Sequence, residues 1–273
     1  MKDVVQPQIY QTSMGDGPRD VMAIHCTLAH SGALRGVLRQ MEGEITLHAI
    51  DLPSHGRSAD WHEDQGDFQD VSAAGARAVF DRPMDLLGHS FGATVALRLA
   101  AERPDLVRSL TLIEPVFFAV AALDDPDALA RHDVDAQPFF DTYTSGDAAL
   151  AARLFNRMWA DPTSPRWPDL PEATRAAMTR AIHVVPASGA AIFNDRQGLL
   201  KEGGLSALTT PTLLLRGSNT HDVIGVINDG LARRLPNATS HVVDGAGHML
   251  PITHPAETAE LLRSLFARTP LPA

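Results

Sequence analysis

The sequence predicts an α/β fold: a mostly parallel, doubly wound sheet that carries a helical insertion. Three observations predict it. Short runs of β-branched and aliphatic residues recur along the chain, several of them apolar almost throughout, as strands covered on both faces of a parallel sheet require. Between these runs lie stretches with apolar residues at helical spacing, and that alternation is the mark of α/β architecture. The rhythm then fails over one long segment, from Val116 to about Gly204.

In chain order, the strand candidates are residues 21–26 (VMAIHC), 45–50 (ITLHAI), 84–87 (MDLL), 110–113 (LTLI), 212–215 (TLLL) and 241–243 (HVV). Residues 91–102 (FGATVALRLAAE) form a helix stopped by Pro104, and residues 226–235 (VINDGLARRL) a second one stopped by Pro236. In the long segment, prolines, acidic residues and short Ala-rich pieces replace the strand signal. Nine of the fifteen aromatics fall there, among them Phe118, Phe139, Trp159 and Phe193. Such a segment either packs a small core of its own or lines an apolar pocket over the sheet. The expected division is a core of residues 1–115 and 205–273 with a helical cap of residues 116–204. The Pro-containing tail 269–273 reads as a frayed end.

Composition narrows the function classes. The 273 residues are 44% apolar and 21% charged, a globular profile with material for a sizeable core that excludes disorder and collagen-like repetition. The formal charge is −10 and no Lys/Arg-rich run could track phosphates, so nucleic acid is not an expected partner. The first 20 residues lack the apolar stretch of a signal peptide, and no run is long enough to span a membrane. A cytoplasmic protein without membrane association is expected, a monomer or homodimer acting on a small molecule. The single cysteine, Cys26, excludes an internal disulfide and any multi-cysteine metal site.

The chemistry is concentrated in a few motifs. Gly88-His89-Ser90-Phe91-Gly92 is the one G-x-S-x-G of the chain, and it follows an apolar run and opens a helix, the strand–turn–helix setting that a nucleophile elbow needs. A serine held on a sharp, strained turn needs neighbours without Cβ atoms so that chain and substrate can approach. The competing reading is an ordinary Gly-rich strand-to-helix turn. A serine hydroxyl is a poor nucleophile without a base in hydrogen-bond reach. Among the twelve histidines, His248 is the best placed, on a loop (GAGH, 245–248) after the last strand candidate. Gly245-x-Gly247 could suggest a dinucleotide loop, but Leu250 stands where the third glycine belongs and no βαβ unit follows. His89 reads as a wall residue, His254 as the start of the last helix, and His25 and His30 show no metal-ligand spacing. No metal or organic cofactor is expected.

With these motifs in order, the chain resembles the α/β-hydrolase superfamily over most of its length. His25-Cys26-Thr27 is similar to the family's His-Gly-x loop, residues 51–58 (DLPSHGRS) to its D-x-P-G-x-G-x-S segment, residues 88–92 to its elbow and residues 245–248 to its histidine loop. Cys26 and Ser54 stand where glycine is usual, and Cys26 could reshape the loop expected to supply an oxyanion donor. The resemblance implies Ser90 as nucleophile, His248 as base, and the N–H groups of Phe91 and Thr27, with Leu28 as alternative, as oxyanion donors.

The acid that orients His248 is left between two residues. Many relatives carry an Asp three residues after the glycine ending the penultimate strand, but here that position, counted from Gly217, is Thr220. Asp222 could substitute if the loop bends differently. Glu114 is the preferred choice: an acidic residue ending an apolar strand is otherwise expensive, and certain haloalkane dehalogenases of the superfamily take their acid from this strand end. The implied activity is hydrolysis of a small, largely apolar carboxylic ester, thioester or lactone through an acyl-enzyme. C–C bond hydrolysis by the same triad, or silent binding of a small molecule, are the alternatives. Dehalogenase and epoxide-hydrolase branches use an Asp nucleophile, whereas the elbow residue here is Ser90.

Overall fold

The inner strands of the sheet alternate their side chains between two buried layers. Leu213 and Leu215 pack into one hydrophobic cluster and Leu214 into the other, and the same division separates Val21 and Ala23 from Met22 and Ile24. Burying a leucine fully contributes about 1.5–3 kcal/mol, so strands apolar on both faces are stable only when helices cover both faces. The computed structural model, which describes residues 6–160 and 164–272, has this arrangement. Residues 1–5 of the expected core, 161–163 of the expected cap and Ala273 of the tail lie outside the described residues.

The seven strands are β1 (Gln11–Met14), β2 (Arg19–Ile24), β3 (Ile45–Ile50), β4 (Met84–His89), β5 (Val107–Ile113), β6 (Thr212–Gly217) and β7 (Ala238–Val243). Their order across the sheet is β1-β3-β2-β4-β5-β6-β7. All neighbours run parallel except β1, which pairs antiparallel with β3. The helices Phe68–Arg77, Phe91–Glu102 and Asp222–Arg234 cover one face, and Pro255–Arg268 with the short helix Arg35–Gln40 covers the other.

Three differences from the sequence reading have physical causes. β1 has no apolar face to betray it: its residues QTSM are half-exposed or exposed, and an edge strand is held by the ladder to β3 alone. The helix expected at residues 226–235 begins at Asp222, because an acidic residue in the first turn suits the helix dipole although it breaks the apolar pattern. The tail is not frayed at its start. Thr269 is buried, and its carbonyl and hydroxyl oxygens both accept from Arg19 Nη2 at 2.8 Å.

Between β5 and β6 the described residues are helical, with no strand. Phe139, Ala151, Ala152, Ala181 and Ile182 form a small core of their own with Leu28. The segment is nonetheless not packed separately, since Phe118, Val120, Val184 and Ile192 belong to the main core. Gly230 permits this contact, because a Cβ there would stand 2.3 Å from Val120 Cγ1. Among the described residues no helix is long and apolar enough to cross a membrane.

Candidate active site

Parallel register aligns the carboxyl ends of the central strands: Ile24 pairs with Gly88, His89 with Ile113, and Ile113 with Leu215. Loops leaving that edge therefore meet, as ligand sites in open α/β sheets do. Ser90 follows β4 directly, with φ 55° and ψ −120°, a left-handed conformation that costs a residue with a Cβ about 1–3 kcal/mol. Its flanking glycines are explained by close approach: a Cβ on Gly88 would lie 2.3 Å from the Gly92 carbonyl oxygen, and one on Gly92 2.3 Å from that of Ile24. Ser90 N–H donates to Ile113 O at 2.9 Å, which pins the turn to the neighbouring strand.

Ser90, His248 and Glu114 come together. His248 Nε2 lies 2.9 Å from Ser90 Oγ, and its Nδ1 lies 3.0 Å from Glu114 Oε2. A carboxylate only accepts, so Nδ1 carries the hydrogen of that bond and Nε2 is left to accept from the serine hydroxyl. Glu114 is fully buried, with φ 50° at the end of β5. Gly217 N–H donates to its Oε1 at 2.6 Å and Thr220 Oγ1 to its Oε2 at 2.5 Å. Thr220, a position unable to supply the acid, thus holds the acid that stands next to it. Asp222 is not brought in: it is exposed in the first turn of its helix, and among the described residues it bonds neither His248 nor Glu114.

Phe91 and Thr27 both line the cavity at Ser90, and the N–H of neither donates to a protein acceptor among the described residues. Leu28, the alternative donor, is ruled out by its own bond. Its N–H is given to His55 Nε2 at 2.9 Å, a partner that sequence reasoning missed because His55 is contributed by a distant loop. His55 donates from Nδ1 to Pro53 O, and burial, with His25 nearby, pushes its pKa down to about 3, which keeps Nε2 a bare acceptor. Cys26 leaves the loop intact. Its side chain is buried, burial pushing the thiol up to about 12, while its carbonyl accepts from His25 Nδ1 and from Ala29 N–H. Ser54 occupies a left-handed φ of 66° and repays it with a hydroxyl that accepts from Trp61 N–H and meets His183 Nε2 of the inserted segment at 3.1 Å.

Four further histidines, His25, His30, His89 and His254, make structural hydrogen bonds, and His30 also lines the larger of the two cavities at Ser90. His89 does not line the cavity: it is buried and donates from Nε2 to the His248 carbonyl at 2.8 Å, and burial together with His248 lowers its pKa to about 3. His25 Nε2 accepts from Leu52 N–H, His30 caps the turn at Gly32, and His254 precedes Pro255–Arg268 without a side-chain capping bond. Among the described residues no three His, Cys, Asp or Glu side chains gather as a metal would require.

Two cavities meet at Ser90. The smaller, about 150 Å³, is bounded by Thr27 and Phe91 and by the inserted segment's Phe118, His132, Ile192 and Phe193. The larger, about 360 Å³, is bounded by Cys26, Thr27, His248 and Ile252. Trp159 borders both, and its indole lies against the His248 ring with centroids 4.1 Å apart. The sequence marked Trp159 only as one aromatic among nine; nothing in its neighbours signals the contact.

Comparison with known proteins agrees in kind. The model of the alpha/beta hydrolase family matches residues 22–261. The chain is 30% identical to a pimeloyl-[acyl-carrier protein] methyl ester esterase of Methylococcus capsulatus over 95% of this chain and 98% of that protein. It is 31% identical to lipase LipV of Mycobacterium tuberculosis over 91% and 93%. A hydrolase from Pseudomonas aeruginosa shares the fold at a TM-score of 0.73 with 16% identity, over 95% of this chain and 94% of that one.

Proposed function

This chain belongs to the alpha/beta hydrolase family, and from that premise we propose that it is a serine hydrolase of small, largely apolar carboxylic esters, thioesters or lactones. The observation that carries the reading is the continuous relay from Ser90 Oγ through His248 to Glu114, opening onto two cavities at once. Ser90 Oγ attacks the acyl carbon while His248 Nε2 takes its proton, and Glu114 holds the imidazole in the required tautomer and stabilises the imidazolium. The N–H groups of Phe91 and Thr27, which are spent on no protein acceptor among the described residues, receive the developing oxyanion. The C–O or C–S bond then breaks, His248 returns the proton to the leaving group, and water repeats the sequence to release the acid.

The two cavities divide the substrate. His248 borders only the larger one, so the leaving group that receives its proton sits there, and the acyl group sits in the smaller one beside the oxyanion donors. A dry cavity of about 150 Å³ accepts a benzene-sized group, so an acyl chain of about six carbons fits. Residues 116–204 serve as a cap that walls both cavities. The names of the curated relatives, a methyl ester esterase and a lipase, support ester chemistry.

The test is turnover of p-nitrophenyl esters graded from acetyl to decanoyl, beside labelling by a fluorophosphonate. Activity should peak near the hexanoyl ester, and Ser90→Ala should lose about 10⁵–10⁶ in kcat together with all labelling. A folded wild-type protein that turns over none of the esters and stays unlabelled would refute the reading and leave a silent binder in its place.

A further inference from the structure

Apart from Ser90, the buried side chains that line the smaller cavity include two polar ones, His132 and Ser188; Asp133, also in the lining, is exposed. His132, on the helix Pro126–Thr144, is 94% buried by its 6% exposure, yet its Nδ1 has no hydrogen-bond partner, and among the described residues neither does Nε2. The ring is held rigidly. It stacks on Phe118 with centroids 4.7 Å apart at 23°, leans on Trp159 at 5.5 Å and meets His221 edge-on at 6.0 Å. Trp159 in turn touches His248, so His132 stands one indole's width from the base. The other polar side chain buried in this wall, Ser188, already spends its hydroxyl proton on Val185 O.

Leaving a buried polar group unpaired costs about 1–3 kcal/mol, and a phenylalanine would fill the same stack without that cost. Nδ1 is sealed from any ligand, so the cost is explained if the ring's other nitrogen, Nε2, which keeps accessible surface and has no partner among the described residues, donates to a ligand. We propose that His132 is a specificity-determining residue that hydrogen-bonds an uncharged oxygen, keto or hydroxyl, on the acyl chain of the substrate. The substrate class is then an oxygenated short acyl ester rather than a plain one, a refinement that rests on the hydrolase reading above. The oxygen is uncharged because burial, with His221 nearby, pushes the His132 pKa down to about 4, so the ring is neutral near neutral pH. No arginine or lysine lines the cavity to balance a carboxylate.

The experiment measures kcat/KM for methyl hexanoate and for methyl hexanoates carrying a keto oxygen at carbon 3, 4 or 5, with wild type and His132→Phe. Dividing the keto-to-plain ratio of wild type by that of the variant cancels the intrinsic reactivity of each ester. At one keto position the quotient should reach about tenfold, the worth of one hydrogen bond to a neutral partner. His132→Gln, which can still hydrogen-bond, should restore part of it, and His132→Leu serves the same comparison if phenylalanine crowds Phe118. A quotient within about twofold of unity at every position, with plain methyl hexanoate still hydrolysed, overturns the role of His132 and leaves the hydrolase reading standing. Wild type that hydrolyses none of the series overturns both.

Discussion

The two ends of β4 hold two buried polar clusters built in opposite ways. At the amino end, Asp85 is 2% exposed and every oxygen is spent: Arg19 grips it with two hydrogen bonds of 2.6 and 2.8 Å, Arg108 adds one and Ser109 another. Arg19 goes on to bond the carbonyls of Thr269 and Phe266, and no cavity reaches the cluster among those bordering Ser90. At the carboxyl end, Ser90 is strained, two amides beside it are unspent, and two cavities open on it. The difference teaches how to read buried polarity. Closed accounts of donors and acceptors hold a fold together, whereas donors left open toward a cavity await a ligand.

Mutation should separate the two ends. Beyond the nucleophile itself, the largest effect is expected at the acid. Glu114→Gln keeps the shape but no longer accepts from Nδ1–H with a full charge, and should lower kcat by about 10³–10⁴, while Asp222→Asn should change it by less than about threefold. Steady-state kinetics of the pair checks this, and the reverse ranking would remove Glu114 from the relay. Next in size, Asp85→Ala strands the buried Arg19 and the half-buried Arg108 and should destabilise by about 3–5 kcal/mol, lowering the urea midpoint by about 1 M or more while kcat of the folded fraction stays unchanged. A lost kcat with an unmoved midpoint would erase the contrast between the ends.

The smallest effect per residue is a shared one. Burial holds His25, His55 and His89 neutral, with pKa values pushed down to about 4, 3 and 3, whereas in the unfolded chain they titrate near 6.5. Since the folded values lie below the unfolded one, the stability they contribute is complete above about pH 6.5. It is lost as pH falls from there toward the folded values, at up to about 1.4 kcal/mol per pH unit for each ring. Urea midpoints measured at about pH 7 and pH 5 should therefore fall, and His55→Gln should flatten the fall. Equal midpoints at the two pH values would show that these rings are not held neutral.

What could be read from the chain follows from which signals are local. The five inner strands and the helix Phe91–Glu102 were legible because apolar runs and helical spacing are properties of neighbours in sequence, and so was the elbow, a five-residue pattern, although Gly92 answers to the carbonyl of distant Ile24. β1 was not, since its four residues carry no apolar face and only the ladder to β3 makes them a strand. The tail failed for the same reason in reverse: nothing in its composition announces the two bonds that Arg19, far away in sequence, makes to Thr269.

By itself, then, the sequence determined the α/β layering, the strand–turn–helix around Ser90 and the presence of a His248 loop at the end of the sheet. Only the tertiary structure decided that Glu114, and not Asp222, meets the imidazole, that Leu28 has already given its amide to His55, and that His132 is left without a partner. The physical reason is range. Propensity and periodicity act over a few residues, but a hydrogen bond is made or missed within a few tenths of an ångström between groups more than a hundred residues apart, and only the packed chain sets that distance.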